Sequence, residues 1–421
     1  MKTFCLLCCV ATLSLTAEPR SISRADYADG LQGFWLAQCV ANWTGLITEM
    51  DRVEAPFYTD ADWGQPDQPN IWGGMGHHRV IEFFLVKEGD VWGADDDTDI
   101  EYLYQALMEK SGGQPLTPEQ IRDGWLAHMW SDNFNQDGQN FLWVSNENAF
   151  ELMCGGLLPP ATGAPENNAD FDMIDAQLTT EIFGLFAPGR PDVALKLAKL
   201  PIMTTARANA QAAAEFYVVM HSFAGMVDRS KPVRDQLFAM AAEARLHLPK
   251  DSVAASMYDF VRTRYEADPD THHWAATRDA LYQEYQVGGR GGYVYAQPFD
   301  AAINFGASMV SFFYGQGDLK RTIQIGALAG WDSDNPTATW AGLLGFIHGR
   351  KGVEAIFGDD LAETYQISRT RRNFPDHTPE LEGEDTFPLM AERALAILDD
   401  VVVKQMGGKV LHHTWLIPDA D

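Results

Sequence analysis

Basic residues are scarce in this chain. Lysine and arginine number 31 against 59 aspartates and glutamates, a formal net charge of −28 over 421 residues. That balance excludes nucleic-acid backbones and anionic membrane surfaces as partners. The acids are spread along the chain rather than held in one tail, so they read as a solvated acidic surface. Beyond the N-terminal stretch, no apolar run reaches the roughly 18 residues that mark a membrane span, so stable membrane insertion is not expected. The marks of several enzyme classes are missing too: there is no H-E-x-x-H, no G-x-S-x-G and no phosphate loop ending in Gly-Lys-Ser/Thr. Strand-like alternation is rare, with Val80 to Val86 the best short candidate.

Cysteine is also rare, five in all. Three of them, Cys5, Cys8 and Cys9, fall in an N-terminal segment with the look of a secretory signal. There, Lys2 precedes an apolar run from Phe4 to Leu15, with Thr16 and Ala17 before Glu18. Residues 1–17 are therefore expected to be a signal peptide and the protein to be secreted or periplasmic. Cys39 and Cys154 remain, either as one disulfide in an oxidising compartment or as two buried thiols.

What is present is helical period. Helices are expected over 33–50, 100–110, from the capping box Thr117-Pro118-Glu119-Gln120 to about Trp130, and over 145–154, 172–186, 191–200 and 203–227. Further helices are expected over 231–246, 251–266, 273–285, 297–313, 318–328, 336–348 and 387–406, with Pro and Gly marking the joints. Residues 51–75, rich in Pro, Gly, Asp and Trp, read as a long loop. The expected architecture is all-α: a single domain over 18–421, built as a large multi-helix orthogonal bundle.

Two acidic knots carry the chemistry. The first is Asp95-Asp96-Asp97-Thr98-Asp99, and the second is Asp332-Ser333-Asp334-Asn335, followed by Pro336. Each opens onto a helix-like run, where the dipole favours negative charge. Brought together, five or six carboxylates would repel strongly unless cations filled the space. Oxygen-only ligands select hard cations, Mg²⁺, Mn²⁺ or Ca²⁺. The adjacent histidines His77-His78, His272-His273 and His412-His413 do not alter this, because neighbouring side chains point apart. A third segment, Gly288-Gly289-Arg290-Gly291-Gly292-Tyr293-Val294, is a loop whose backbone amides could approach an anion closely.

Taken in order, these motifs resemble the ADP-ribosylglycohydrolase family over roughly residues 30–350. Asp95-Asp96-Asp97-Thr98 is similar to the family's Thr-Asp-Asp-Thr, and Asp332-Ser333-Asp334-Asn335 to its Asp-x-Asp-Thr/Ser. Ala41-Asn42-Trp43-Thr44-Gly45-Leu46-Ile47-Thr48-Glu49 resembles its Gly-Asp-Ala-x-Gly-x-x-x-Glu, and Gly291-Gly292-Tyr293-Val294 its Gly-Gly-Tyr-Val stretch. The resemblance implies an all-α hydrolase with two Mg²⁺ or Mn²⁺ ions that releases ADP-ribose from a small-molecule or ADP-ribosylated substrate. It implies Asp95, Asp96, Asp97, Asp332, Asp334 and Asn335 as the metal set, with Glu49, Asp97 and Asp334 in catalytic roles. Gly291, Gly292 and Tyr293 would hold the substrate's diphosphate and distal ribose. Three departures stand out: Asn42 replaces an aspartate, Asn335 replaces a hydroxyl ligand, and Met203-Thr204-Thr205-Ala206-Arg207 lacks the family's histidine.

Three alternatives accompany this reading. One is a non-catalytic nucleotide- or sugar-binding module on the same fold. Another is a hydrolase of a different glycoside, since 12 tryptophans would suit sugar stacking. The last is a terpenoid synthase, because the first knot contains D-D-x-x-D. The sequence sets no oligomeric state.

Overall fold

A computed structural model of the protein describes residues 19–76, 78–93, 96–129, 142–367, 374, 377 and 384–419. The expected signal segment 1–17, His77, Asp95 and the side chains of Asp96 and Asp97 lie outside the described residues.

The chain enters through β1 (Arg20–Ser23) and runs directly into α1 (Arg24–Gly45). Helices α2 (Asp96–Ser111), α3 (Pro118–His128), α4 (Val144–Cys154) and α5 (Ile182–Leu185) follow, then α6 (Pro191–Thr205), α7 (Ala208–Ala224) and α8 (Val233–Ala244). Next come α9 (Val253–Ala267), α10 (Trp274–Leu281), α11 (Ala301–Gly315), α12 (Leu319–Leu328) and α13 (Asp334–Phe357). The last elements are β2 (Thr364–Gln366), β3 (Glu384–Thr386), α14 (Phe387–Lys404), β4 (Lys409–Val410) and β5 (Thr414–Ile417). The fold is all-α, with two small sheets ordered β1-β5-β4 and β2-β3 at its edges.

The heart of the molecule is the pairing of α1 with α13, which share the most extensive contact of any two elements described. Both helices are buried along most of their length. Glycine makes the close approach possible. A Cβ on Gly33 would strike the Gly345 carbonyl and come within 2.7 Å of the Gly349 carbonyl carbon and 2.9 Å of Arg350 N. The crossing is therefore backbone against backbone, with no side chain able to yield.

Several boundaries differ from the sequence reading, each for a tertiary reason. The first helix begins at Arg24 rather than 33, because Ser23 caps it and β1 anchors its start by pairing antiparallel with β5. It also ends at Gly45, so Glu49 lies in the turn beyond it. The expected strand at 80–86 does not form. Val80 makes only an isolated bridge to Pro66, and the Phe84 amide donates to Thr44 Oγ1 at 3.0 Å on α1. Helix 203–227 is broken between α6 and α7 at Ala206–Arg207. Asp172, far away in sequence, caps the new start: it accepts from Ala210 N at 2.8 Å and from Asn209 Nδ2 at 2.9 Å. The stretch 172–186 is a 3-10 turn at Ile174–Gln177 followed by the single-turn α5. Cys39 is buried within α1 whereas Cys154 is exposed at the end of α4, and the two are not bonded to each other. The expectation of two buried thiols therefore holds for Cys39 alone.

Candidate functional site

The turn after α1 and the turn before α13 meet. The Met50 amide donates to the Trp331 carbonyl at 2.9 Å, and the Trp331 amide donates to the Arg52 carbonyl at 2.8 Å. Both Met50 and Trp331 occupy left-handed backbone, φ 58° and 57°, an uncommon conformation for side chains of this size. Gly330, φ 97°, leads into the second turn. A Cβ there would lie 2.6 Å from the Arg52 carbonyl. These contacts aim Glu49 from one side and Asp332 and Asp334 from the other.

The result is a carboxylate triad. Glu49, Asp332 and Asp334 each bring an oxygen within 4.8 Å of the others. Asp332 and Asp334 are buried, while Glu49 is half-buried. Burial, followed by the charges of Asp334 and Glu49, holds the Asp332 carboxyl well above the ordinary carboxylate range. Both Asp332 oxygens and Asn335 Oδ1 are buried with no hydrogen bond of ordinary geometry among the described residues. Such an arrangement is costly as it stands. A hard divalent cation fits it on chemistry alone: several carboxylate oxygens and an amide oxygen, all shielded, with no competing soft ligand among them.

The substituted Asn42 fits the same picture. Its Nδ2 donates to Asp334 Oδ2 at 3.3 Å, where an aspartate would add another charge. A Cβ on Gly45 would run into Asp334 Cα and lie 2.8 Å from Asp334 N, so the helix must approach as glycine.

The first knot can be followed through its backbone and its neighbours. Helix α2 starts at Asp96, and just before it Trp43 Nε1 donates to the Gly93 carbonyl at 3.4 Å. The segments leading to both knots therefore flank the same turn of α1, Gly93 at Trp43 and Asp334 at Asn42. Asp99 is buried and accepts from the Tyr365 hydroxyl at 2.7 Å. Two residues further on, Glu101 accepts from Gln38 Nε2 at 2.6 Å and from the Ile182 amide at 2.8 Å.

The glycine loop sits beside this centre. Gln286, just before it, accepts from Trp331 Nε1 at 2.8 Å and donates to the Val53 carbonyl at 2.9 Å. Gly291 and Gly292 have left-handed backbone and open space where a side chain would go. Tyr293 is buried, and its hydroxyl is committed to Asp300 Oδ1 at 2.7 Å. Arg290 turns toward α9, against the faces of Phe260 and Tyr285 and 3.5 Å from Glu284. His273 Nδ1, in one of the histidine pairs, lies 2.8 Å from Asp268 in a surface turn.

Residues outside the motifs complete the frame. Arg278 is buried. It donates to the Leu328 and Ala329 carbonyls, each at 3.1 Å, and to the Tyr58 carbonyl at 2.9 Å, and it stacks over Phe57. It thus ties the end of α12 to the loop that covers the second knot. In that loop Asp51 accepts from the Tyr58 hydroxyl at 2.7 Å. Burial, with Asp67 beside it, pushes its carboxyl up to about 8. Neither role carried a local sequence signal, because both depend on contacts across the loop.

A second group of acids lies deeper. Asp175 accepts from the Ser145 amide at 3.3 Å and from its hydroxyl, and burial pushes it up to about 7. Glu181, which accepts from Thr339 Oγ1 at 2.9 Å, is likewise raised to about 7 by burial. A buried acid with a raised value holds a proton that the unfolded chain releases. Its stabilisation is complete below the unfolded value, 3.8 for Asp175, and is lost as pH rises through about 7. The melting temperature in chelator should therefore fall between pH 5 and pH 8. Asp175→Asn should make that fall visibly shallower in a pH series of thermal melts, and an unchanged slope would remove Asp175 from the account.

The fold is thus all-α, with a largely buried carboxylate cluster where the turns after α1 and before α13 meet. The chain belongs to the ADP-ribosylglycohydrolase family, a family of glycohydrolases whose model matches residues 23–384. Among solved structures, one described as an ADP-ribosylglycohydrolase-related protein complex is similar at 13% identity and a TM-score of 0.47, covering 89% of this chain and 99% of that one. No functionally curated protein matches by sequence.

Proposed function

We propose that the protein is an exported, metal-dependent hydrolase that cleaves an N- or O-glycosidic bond to ADP-ribose or a related ribosyl group. The single observation behind this is the triad of half-buried Glu49 with buried Asp332 and Asp334 in a chain of this family. In this reading Asp332, Asp334 and Asn335 hold two Mg²⁺ or Mn²⁺ ions together with Asp95, Asp96 and Asp97 from the first knot. Bound there, the ions would neutralise the cluster and acidify a water molecule.

The chain's own groups do the rest. Glu49, less buried than its partners, is placed to accept a proton from the attacking water or to orient the sugar hydroxyls. Water adds across the bond: hydroxide goes to the anomeric carbon and the proton to the departing nitrogen or oxygen. The acidic walls favour the positive charge that develops on the sugar ring. Asn42, held against Asp334, keeps that carboxylate oriented without adding charge. Residues 1–17 act as the export signal, and 18–421 form the working domain.

The reading is tested with ADP-ribosylated peptide and free ADP-ribosyl compounds, with Mg²⁺ or Mn²⁺ added back after chelation. Release of ADP-ribose should require the metal, and Asp97→Ala should reduce it at least about a hundredfold, the scale of losing one preorganised electrostatic group. Full activity in chelator, or in Asp97→Ala, would end the proposal. Tight ADP-ribose binding with no turnover under any of these conditions would leave a binding module on the same fold.

A further inference from the structure

Behind the carboxylate centre lies a layer of polar side chains that the proposed chemistry does not use. Gln38, Glu101, Glu181 and Thr339 are each no more than 1% exposed. Gln38 stands four residues before Asn42 on α1, and Thr339 four residues after Asn335 on α13. Glu101 stands four residues after Asp97 on α2. Four residues make about one turn of helix, a rise of about 6 Å. Three helices that lead into the centre thus each carry one member of the layer a turn away. The fourth member, Glu181, immediately precedes α5.

The layer is bonded across helices rather than along them. Gln38 Nε2 on α1 donates to Glu101 Oε2 on α2, and the Ile182 amide at the start of α5 donates to Glu101 Oε1. Glu181, next to Ile182, accepts from Thr339 Oγ1 on α13. One path of hydrogen bonds, with a single peptide link in it, therefore joins α1, α2, α5 and α13. Gln38 Oε1 and Glu181 Oε2 are buried with no hydrogen bond among the described residues. Burial, with the charge of Glu181 added to it, holds the Glu101 carboxyl well above the ordinary range.

Stability does not account for such a layer. Apolar side chains of the same volume would hold these helices at least as well, because taking carboxyls out of water costs more than their hydrogen bonds return. What the polar layer adds is direction: a hydrogen bond tolerates a narrow range of length and angle, whereas apolar contacts slide. Helices α1 and α13 already fix each other through backbone contact at Gly33 and Gly345. Helix α2 contains no glycine that could make such a contact. Its position against the pair is set here by the two oxygens of Glu101, one held from α1 and the other from α5.

We propose that Glu101 is a positioning residue for the cation centre. Its bonds to Gln38 and Ile182, continued through Glu181 to Thr339, hold the start of α2 and the first knot in register with Asp332 and Asp334. This rests on the metal-dependent reading and concerns what keeps its two halves together. The test is calorimetric titration of the full chain, stripped with chelator, with Mn²⁺, alongside thermal melts in chelator. Glu101→Met cuts the layer at its centre. It should weaken Mn²⁺ binding about ten- to a hundredfold, the usual effect of losing a group that orients metal ligands. Glu101→Gln should bind close to the parent protein. Its amide can accept from Ile182 and donate to Gln38 Oε1 once the Gln38 amide turns over. Thr339→Val exchanges one hydroxyl for a methyl and cuts the layer at α13. It should also weaken Mn²⁺ binding, and it keeps the question decidable if Glu101→Met does not fold. The proposal is overturned if either Glu101→Met or Thr339→Val folds and binds Mn²⁺ as the parent does. It is equally overturned if Glu101→Gln loses as much affinity as Glu101→Met, since charge rather than bonding would then be the active feature. Failure of the hydrolase reading looks different: the parent protein itself would take up no Mn²⁺, and both proposals would fall together.

Discussion

Asp334→Asn will lose divalent-cation binding and, at the same time, gain stability in chelator. The two halves of this result have one cause. Asp334 is buried at the first turn of α13, within 4.8 Å of oxygens on Glu49 and Asp332. Two charges at that separation repel by about 3 kcal/mol at an effective dielectric constant of about 20. Protonation of Asp332, whose carboxyl is already raised by its neighbours, relieves part of this. Asparagine keeps the shape and can still accept from Asn42, but it removes the charge. Without metal, the variant should therefore melt above the parent protein at pH 8. With metal the order reverses. A ligand at a hundred times its dissociation constant stabilises by about 2.7 kcal/mol, and the variant forfeits most of that. Thermal melts with and without Mn²⁺ read both effects. An aspartate with a purely structural role would instead lower stability in chelator and leave the metal increment in place.

Gly33→Ala is expected to be among the most damaging single-methyl changes at the described glycines. At the α1–α13 crossing the new carbon would meet the Gly345 carbonyl and the backbone around Gly349 and Arg350. Overpacking into a side chain typically costs about 1–3 kcal/mol because the side chain can swing aside. Backbone cannot, so the loss should sit at or above the top of that range, or the protein should fail to fold. The damage would not stay local. The same two helices carry Asn42 and Gly45 on one side and Asp334 on the other, so a splayed crossing separates the halves of the triad. Chemical denaturation gives the stability loss. In any folded fraction, weaker Mn²⁺ binding would connect the crossing to the site. A variant as stable as the parent would show that the helices can slide, and that the crossing is softer than its geometry says.

Much of the helical fold could be read from local chemistry. The capping box at Thr117 forms as expected, with Gln120 Oε1 accepting from the Thr117 amide at 2.8 Å and Pro118 at the first position. The second knot does precede a buried helix, although the helix starts at Asp334 rather than at Pro336. What could not be read depends on partners far along the chain. The break at Arg207 is enforced by Asp172, and the early start of α1 by β5. The site shows the same division. Asp332 and Asp334 announced themselves as a motif, and Glu49 entered through family resemblance. Arg278 and Asp51 gave no local sign, because each acts on a carbonyl or carboxylate that only the folded chain brings near.

The reciprocal locking of Met50 and Trp331 has a kinetic meaning as well. Left-handed backbone at two bulky residues is unfavourable in an open chain, yet here each conformation is fixed by the other's segment and by Arg52. The turns that carry Glu49, Asp332 and Asp334 are thus ordered by the chain's own contacts. On the metal-dependent reading proposed above, a cation would meet the oxygens of Glu49, Asp332 and Asp334 already gathered and should associate in one fast phase, which stopped-flow mixing with Mn²⁺ would read.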